Sequence, residues 1–175
     1  MKIYTKSPKW LKLPSLACSA NMYDWLVDTG SFMQRLDQHH VKDVKISVQR
    51  EGWLQPSNWE KELVTKDEQY WVREVSILNS KHNLLYARAV IAKNIIINKP
   101  ELKSLNNKAL GSILFKDGSF KRSELKFAYV LPKDLWDDFA KVQSLPLLWV
   151  RSSIFTMKTE KLLLTEIFLP SIESL

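Results

Sequence analysis

The run Leu162-Leu163-Leu164-Thr165-Glu166-Ile167-Phe168-Leu169-Pro170 constrains this chain more than any other stretch. It is rich in branched and aromatic side chains and ends at a proline, which reads as a strand. Strand side chains alternate between faces, so Glu166 shares a face with Leu162, Leu164 and Phe168. Leu163, Thr165, Ile167 and Leu169 take the other face. Whichever face is buried, the carboxylate has apolar neighbours. A carboxylate in that setting is costly unless it is paired, protonated or bound to a ligand.

Tyr70-Trp71-Val72-Arg73-Glu74-Val75-Ser76-Ile77 repeats the pattern with the opposite charge. Arg73 is in phase with the apolar residues Trp71, Val75 and Ile77, while Glu74 faces the other way with Tyr70 and Ser76. One cation and one carboxylate, far apart in sequence, are thus expected on buried strand faces. Two readings remain open: a structural ion pair, or a polar pocket for a small anion.

Other strands follow from alternation. Val44 to Arg50 is one, with a turn at Gly52. Tyr70 to Leu78 and Leu84 to Ile91 make a hairpin around the polar loop at 79–83. Lys121 to Val130 is a further strand. Leu148 to Phe155 and Lys161 to Leu169 form a last hairpin around residues 157–160. Helical spacing places short helices at Asn21–Asp28 and at Phe32–His39, the second capped by Ser31. Pro100 starts a short helix, Leu110 to Phe115 is another, and Pro132 to Ala140 reads as helix or loop. Residues 1–19 read as an irregular arm, and Gln55 to Lys66, polar and holding Pro56, as a long loop. Hairpin-linked strands with grouped helices imply an α+β fold: one antiparallel sheet of about six strands flanked by helices, in a single domain over 1–175.

Several chemistries are poorly served. Four glycines form no phosphate-cradling loop, three histidines lack zinc-ligand spacing, and one cysteine cannot complete a metal site or a disulfide. No nucleophile elbow is present. No secretory leader or membrane-length apolar run is seen, and a cytoplasmic monomer without membrane insertion is expected. The net charge of +7 comes from scattered lysines rather than a basic stripe, so nucleic acid is not an expected partner. What remains is a site of arginine, carboxylate, backbone amides and apolar walls, suited to a small acid. Arg88, in phase with Leu84, Tyr86 and Val90, is a further buried-face cation. It is read either as a ligand contact or as an arginine satisfied at a sheet end. Arg50 is read as structural, and Trp71 and Phe168 as core.

Taken together, Asp24-Trp25-Leu26, Ser31 to Leu36, Val48-Gln49-Arg50-Glu51-Gly52, Tyr70 to Glu74, Ala87 to Ile91, Leu110 to Phe115 and Leu162 to Pro170 resemble the chorismate pyruvate-lyase family in content and order. The stretch from about 117 to 147 matches least. The resemblance implies an enzyme that converts chorismate to 4-hydroxybenzoate and pyruvate, the first committed step of ubiquinone biosynthesis, with no cofactor. It implies a ligand site beneath flap-like helical segments. It assigns Arg73 to the ring carboxylate, Glu166 to the oxygen at the far end of the ring, and Leu110 to a main-chain contact. Phe32 stands where the family has a methionine, so its contact is either through the backbone or through a changed pocket wall. Arg88 is the candidate for the second carboxylate of chorismate. Glu166, its pKa raised by apolar surroundings, is expected to be protonated and to assist the departing oxygen. The alternative is a non-catalytic module of the same fold that binds small aromatic acids, like the effector domains of transcription regulators.

Overall fold

The computed structural model describes residues 7–14, 18–66, 69–116, 118–131 and 147–175. The expected helix or loop at Pro132–Ala140 lies outside them. The strands are β1 (Lys45–Trp53), β2 (Tyr70–Leu78), β3 (Asn83–Ala92), β4 (Lys121–Arg122), β5 (Lys126–Val130), β6 (Leu148–Met157) and β7 (Glu160–Phe168). They form one antiparallel sheet in the order β1-β2-β3-β7-β6, with β4 and β5 sharing the outer edge of β6. The expected single strand at 121–130 is therefore two short ones. Between them Ser123 still exchanges bonds with Ile154, through its backbone N–H and through its hydroxyl.

Gly52 does not turn the chain. β1 carries a bulge between Val48 and Arg50 and then continues, so that Gly52 pairs with Val72. The bulge brings Glu51 opposite Arg73, a register that matters below. The hairpin of β6 and β7 closes through Lys158 and Thr159 and pairs Met157 with Glu160. Six residues back from that turn on each side, the register sets Arg151 opposite Glu166.

Helices cover both faces of the sheet. α1 (Ala20–Val27) is capped by Ser19, whose hydroxyl accepts from the Met22 N–H at 3.1 Å, and it buries Met22, Trp25 and Leu26. α2 (Phe32–Gln38) has Ser31 at its N-cap position, but the Ser31 hydroxyl makes no cap bond. α3 (Asn58–Leu63) corrects the expected loop at 55–66: Glu60 reaches back to accept the Ser57 N–H at 2.8 Å, a capping-box bond that starts the helix just after Pro56. α4 (Lys93–Asn98) follows β3 directly and buries Ile95 and Ile96. A 3-10 turn at Pro100–Lys103, α5 (Gly111–Leu114) and a 3-10 turn at Pro170–Ser174 are the other helical elements among the described residues.

The two faces differ in filling. Under α3, Trp59, Val72, Tyr86, Val90, Val150, Leu163 and Ile167 pack continuously. On the opposite face the core is split. One cluster joins α1, α2, Val75, Leu85 and Phe168, and another joins α4, Ile91, Leu114, Phe155 and Leu162. The gap between those two clusters holds the candidate site.

Candidate active site

β2, β3 and β7 supply the floor of the cavity: Arg73, Val75 and Ile77, then Leu85, Ala87 and Ala89, then Leu164 and Glu166. Room exists because the central strand presents single methyl groups at two of its three floor positions, Ala87 and Ala89. The roof is two chain segments, Gly30–Met33 entering α2 and Lys108–Gly111 entering α5, with Phe115 and Arg122 at one side. The space open to the centre of a water-sized sphere is ≈ 60 Å³, several times what one water needs.

The two roof segments meet closely. A Cβ on Gly111 would lie 2.9 Å from Ser31 Oγ and 3.4 Å from Phe115 Cδ2, so glycine is what lets α5 approach the start of α2. Leu110 occupies the N-cap position of α5 and lines the cavity. Phe32 does so from the first turn of α2. Its ring packs at 5.6 Å from Trp25 and edge-on to Phe168 at 5.8 Å, so an aromatic wall stands at this position.

Arg73 is 2% exposed and is held at three points. Nη1 donates to Glu51 Oε1 at 2.8 Å, and Nη2 donates to the carbonyls of Asn106 (2.6 Å) and Lys108 (3.1 Å). Those bonds use three of the five guanidinium N–H groups, leaving the Nε hydrogen and one Nη1 hydrogen for a ligand. Arg73 and Glu166 face one cavity but are not each other's partners, which removes the first of the two readings of that pair. Arg73 sits opposite Ala89 and Glu166 opposite Ala87. Two strand spacings and one two-residue step separate their Cα atoms by about 12 Å.

Glu166 is paired with an arginine that the sequence reading passed over. Arg151 Nε donates to Oε2 at 2.7 Å and Nη2 to Oε1 at 2.9 Å, a two-point charge-assisted contact. Arg151 Nη1 in turn donates to the carbonyls of Trp25 (3.2 Å), Leu26 (3.3 Å) and Asp28 (2.7 Å), at the C-terminal end of α1. Arg122 Nη2 stands 3.6 Å from Glu166 Oε2. Burial pushes the Glu166 pKa up, but the charge and hydrogen bonds of Arg151, with the charge of Arg122, outweigh it and hold the carboxyl below its usual value. The expected raised pKa and protonated acid are therefore corrected: Glu166 is an ionised acceptor.

Arg88 is corrected too. It points to the opposite face, under α3. Its Nε and Nη2 donate to Glu60 at 2.7 and 3.0 Å, and its Nη1 donates to Glu74. All three residues are buried, and Arg88 is absent from the cavity wall. The alternation that placed Arg88 among Leu84, Tyr86 and Val90 was right; that face is apolar but carries no cavity. Among the described residues, the charged residues lining the wall are Arg73, Lys108, Arg122 and Glu166, three cations against one anion, a balance that favours an acidic ligand.

The sequence model of the chorismate lyase family matches residues 5–174. The chain belongs to the chorismate lyase family. Among its relatives, the chorismate pyruvate-lyase of Erwinia tasmaniensis is 30% identical over 93% of this chain and 86% of its own length. That of Hamiltonella defensa is 29% identical over 97% and 90%. The probable chorismate pyruvate-lyase of Pseudomonas syringae is 30% identical over 94% and 89%. Solved structures of much lower identity share the fold. The effector domain of PhnF from Mycobacterium smegmatis matches with a TM-score of 0.58 at 7% identity, covering 82% of this chain and 91% of that one. The possible transcriptional regulator YydK from Bacillus subtilis matches with 0.51 at 13%, covering 77% and 61%. The same fold thus also occurs in an effector domain and in a possible transcriptional regulator. Among the described residues, no helix is long and apolar enough to cross a membrane.

Proposed function

We propose that this protein is a chorismate pyruvate-lyase that eliminates pyruvate from chorismate and leaves 4-hydroxybenzoate, the aromatic acid that opens ubiquinone biosynthesis. The observation that carries the reading is the polarity of the cavity: a guanidinium with unspent hydrogens at one end, an ionised carboxylate at the other, and small apolar residues between. In this reading Arg73 grips the ring carboxylate. Glu166 accepts a hydrogen bond from the ring hydroxyl opposite. Leu110 and Phe32 close the roof over the ring.

The reaction balances within the substrate. The C–H bond at the hydroxyl-bearing ring carbon breaks, and its electrons become ring π electrons. The ether C–O bond at the adjacent carbon breaks, and the oxygen becomes the keto oxygen of pyruvate. The hydrogen ends on the side-chain methylene, which becomes the methyl group. The aromatic ring supplies the driving force. The protein has to hold the side chain in reactive geometry, exclude water and oppose the positive charge that grows on the ring as the ether bond lengthens. The Glu166 carboxylate, fixed by Arg151 before the substrate arrives, is placed to do the last of these.

Purified protein incubated with chorismate tests this. Equal amounts of 4-hydroxybenzoate and pyruvate, formed catalytically, support the lyase. Saturable 4-hydroxybenzoate binding without turnover would instead make the protein a binding module of the same fold.

A further inference from the structure

With Arg88 on the far face, no residue is assigned to the second carboxylate of the proposed substrate. We propose that Arg122 is the specificity residue for that group, a side-chain acid carried on the ring carbon next to the hydroxylated one. The inference rests on the reading of the cavity as an aromatic-acid site.

Position is the first argument. Among the described residues, Arg73 and Arg122 are the two guanidinium groups in the wall. Arg122 Nη2 lies 3.6 Å from Glu166 Oε2, beyond hydrogen-bond length. If Glu166 holds the ring hydroxyl, a substituent on the neighbouring carbon leaves the ring within reach of Arg122.

Preorganisation is the second. Arg122 Nε donates to Ser153 Oγ at 3.0 Å, and Nη1 donates to the Thr29 carbonyl at 2.9 Å. The guanidinium lies 5.5 Å from the Phe115 ring centroid and 5.3 Å from that of Phe155. The group is therefore fixed while its Nη2 edge remains turned to the cavity, so an arriving carboxylate orders nothing new.

Charge is the third. Glu166 gives its short contacts to Arg151 and meets Arg122 Nη2 only at 3.6 Å, and Asp28 is bonded to Arg35 at 2.7 Å, so among the described residues no carboxylate is hydrogen-bonded to Arg122. Burial pushes its pKa down to about 10, with Glu166 and Asp28 countering and Arg151 adding to the effect. An anion beside Nη2 would relieve that deficit.

Isothermal titration of the wild type, Arg122→Gln and Arg122→Lys tests the proposal with two non-reacting ligands: 4-hydroxybenzoate, and 3-(carboxymethoxy)-4-hydroxybenzoate, which adds an ether-linked acid. Circular dichroism checks folding, and if Arg122→Gln does not fold, Arg122→Lys carries the comparison. The expected result is that the dicarboxylate loses roughly 10- to 100-fold more affinity than 4-hydroxybenzoate in the glutamine variant, with a smaller difference in the lysine variant. Equal weakening of both ligands would overturn the proposal in favour of support through Glu166, and no change in either would overturn it outright. A wild type that binds neither ligand would overturn the aromatic-acid reading itself, a failure separate from the other two.

Discussion

Arg151 and Glu166 face each other across β6 and β7 and join at two points, Nε to Oε2 at 2.7 Å and Nη2 to Oε1 at 2.9 Å. Arg151 also gathers three carbonyls from the end of α1. One guanidinium thus fixes both the ionised carboxylate in the cavity and the helix that leads into the roof. Glu166 is at once a residue of the cavity wall and part of the fold.

Glu166 therefore makes stability depend on pH. Its carboxyl is held below its usual value in the folded protein, so the ionised form is favoured by folding. That contribution is present above the ordinary carboxylate pKa and is lost as pH falls through the folded value. Glu166→Gln leaves Arg151 buried opposite a neutral amide and should cost about 3–5 kcal/mol at neutral pH. Urea unfolding at pH 7 and at progressively lower pH should show the gap between wild type and variant shrinking below the ordinary carboxylate range. A gap that does not change with pH would contradict the pairing.

Arg88 gives the opposite test, stability without activity. Arg88→Met removes the guanidinium that the buried Glu60 and Glu74 carboxylates share and should cost about 3–5 kcal/mol. Adding Glu60→Gln and Glu74→Gln should recover most of that loss. At a temperature where both variants are folded, KM for chorismate should stay within about threefold of wild type. A tenfold rise in KM would return Arg88 to the ligand.

Gly111 reports on the roof. The Ser31 hydroxyl can rotate away from one added methyl, so Gly111→Ala should change 4-hydroxybenzoate affinity by less than about threefold. Gly111→Val places further methyls against Ser31 and Phe115. It should weaken the ligand roughly tenfold or more, chiefly through faster release, as overpacking forces α5 off α2. Stopped-flow fluorescence measures both. Equal behaviour of the two variants would mean that the roof segments do not close over the ligand.

Much of this was legible in the sequence, because strands in a two-faced sheet alternate strictly. β2, β3, β6 and β7 were legible as apolar runs joined by polar turns, and the alternation of faces within them put Arg73 and Glu166 on buried faces. Alternation could not say which of two apolar faces carries the cavity, and Arg88 went to the wrong one for that reason. The face with the site is marked by Ala87 and Ala89, whose small size matters only once α2 and α5 stand above them. Arg151 was reachable. It is in phase with Trp149, Ser153 and Phe155, and the turn at Lys158 and Thr159 already set it opposite Glu166. Without that partner, burial alone suggested a protonated acid. α3 was hidden in a polar stretch whose one marker was the Ser57–Glu60 cap. Arg122 could not be found by periodicity, since a two-residue strand has no pattern to read.

The measurement that bears most directly on the central claim is chorismate turnover by wild type and Arg73→Gln side by side, following 4-hydroxybenzoate and pyruvate together. Equimolar products are expected from the wild type. In the variant kcat/KM should fall roughly 10- to 100-fold, mainly through KM, because a charge-assisted grip on the ring carboxylate is lost. No product from a folded wild type, or an unchanged kcat/KM in Arg73→Gln, would contradict that claim.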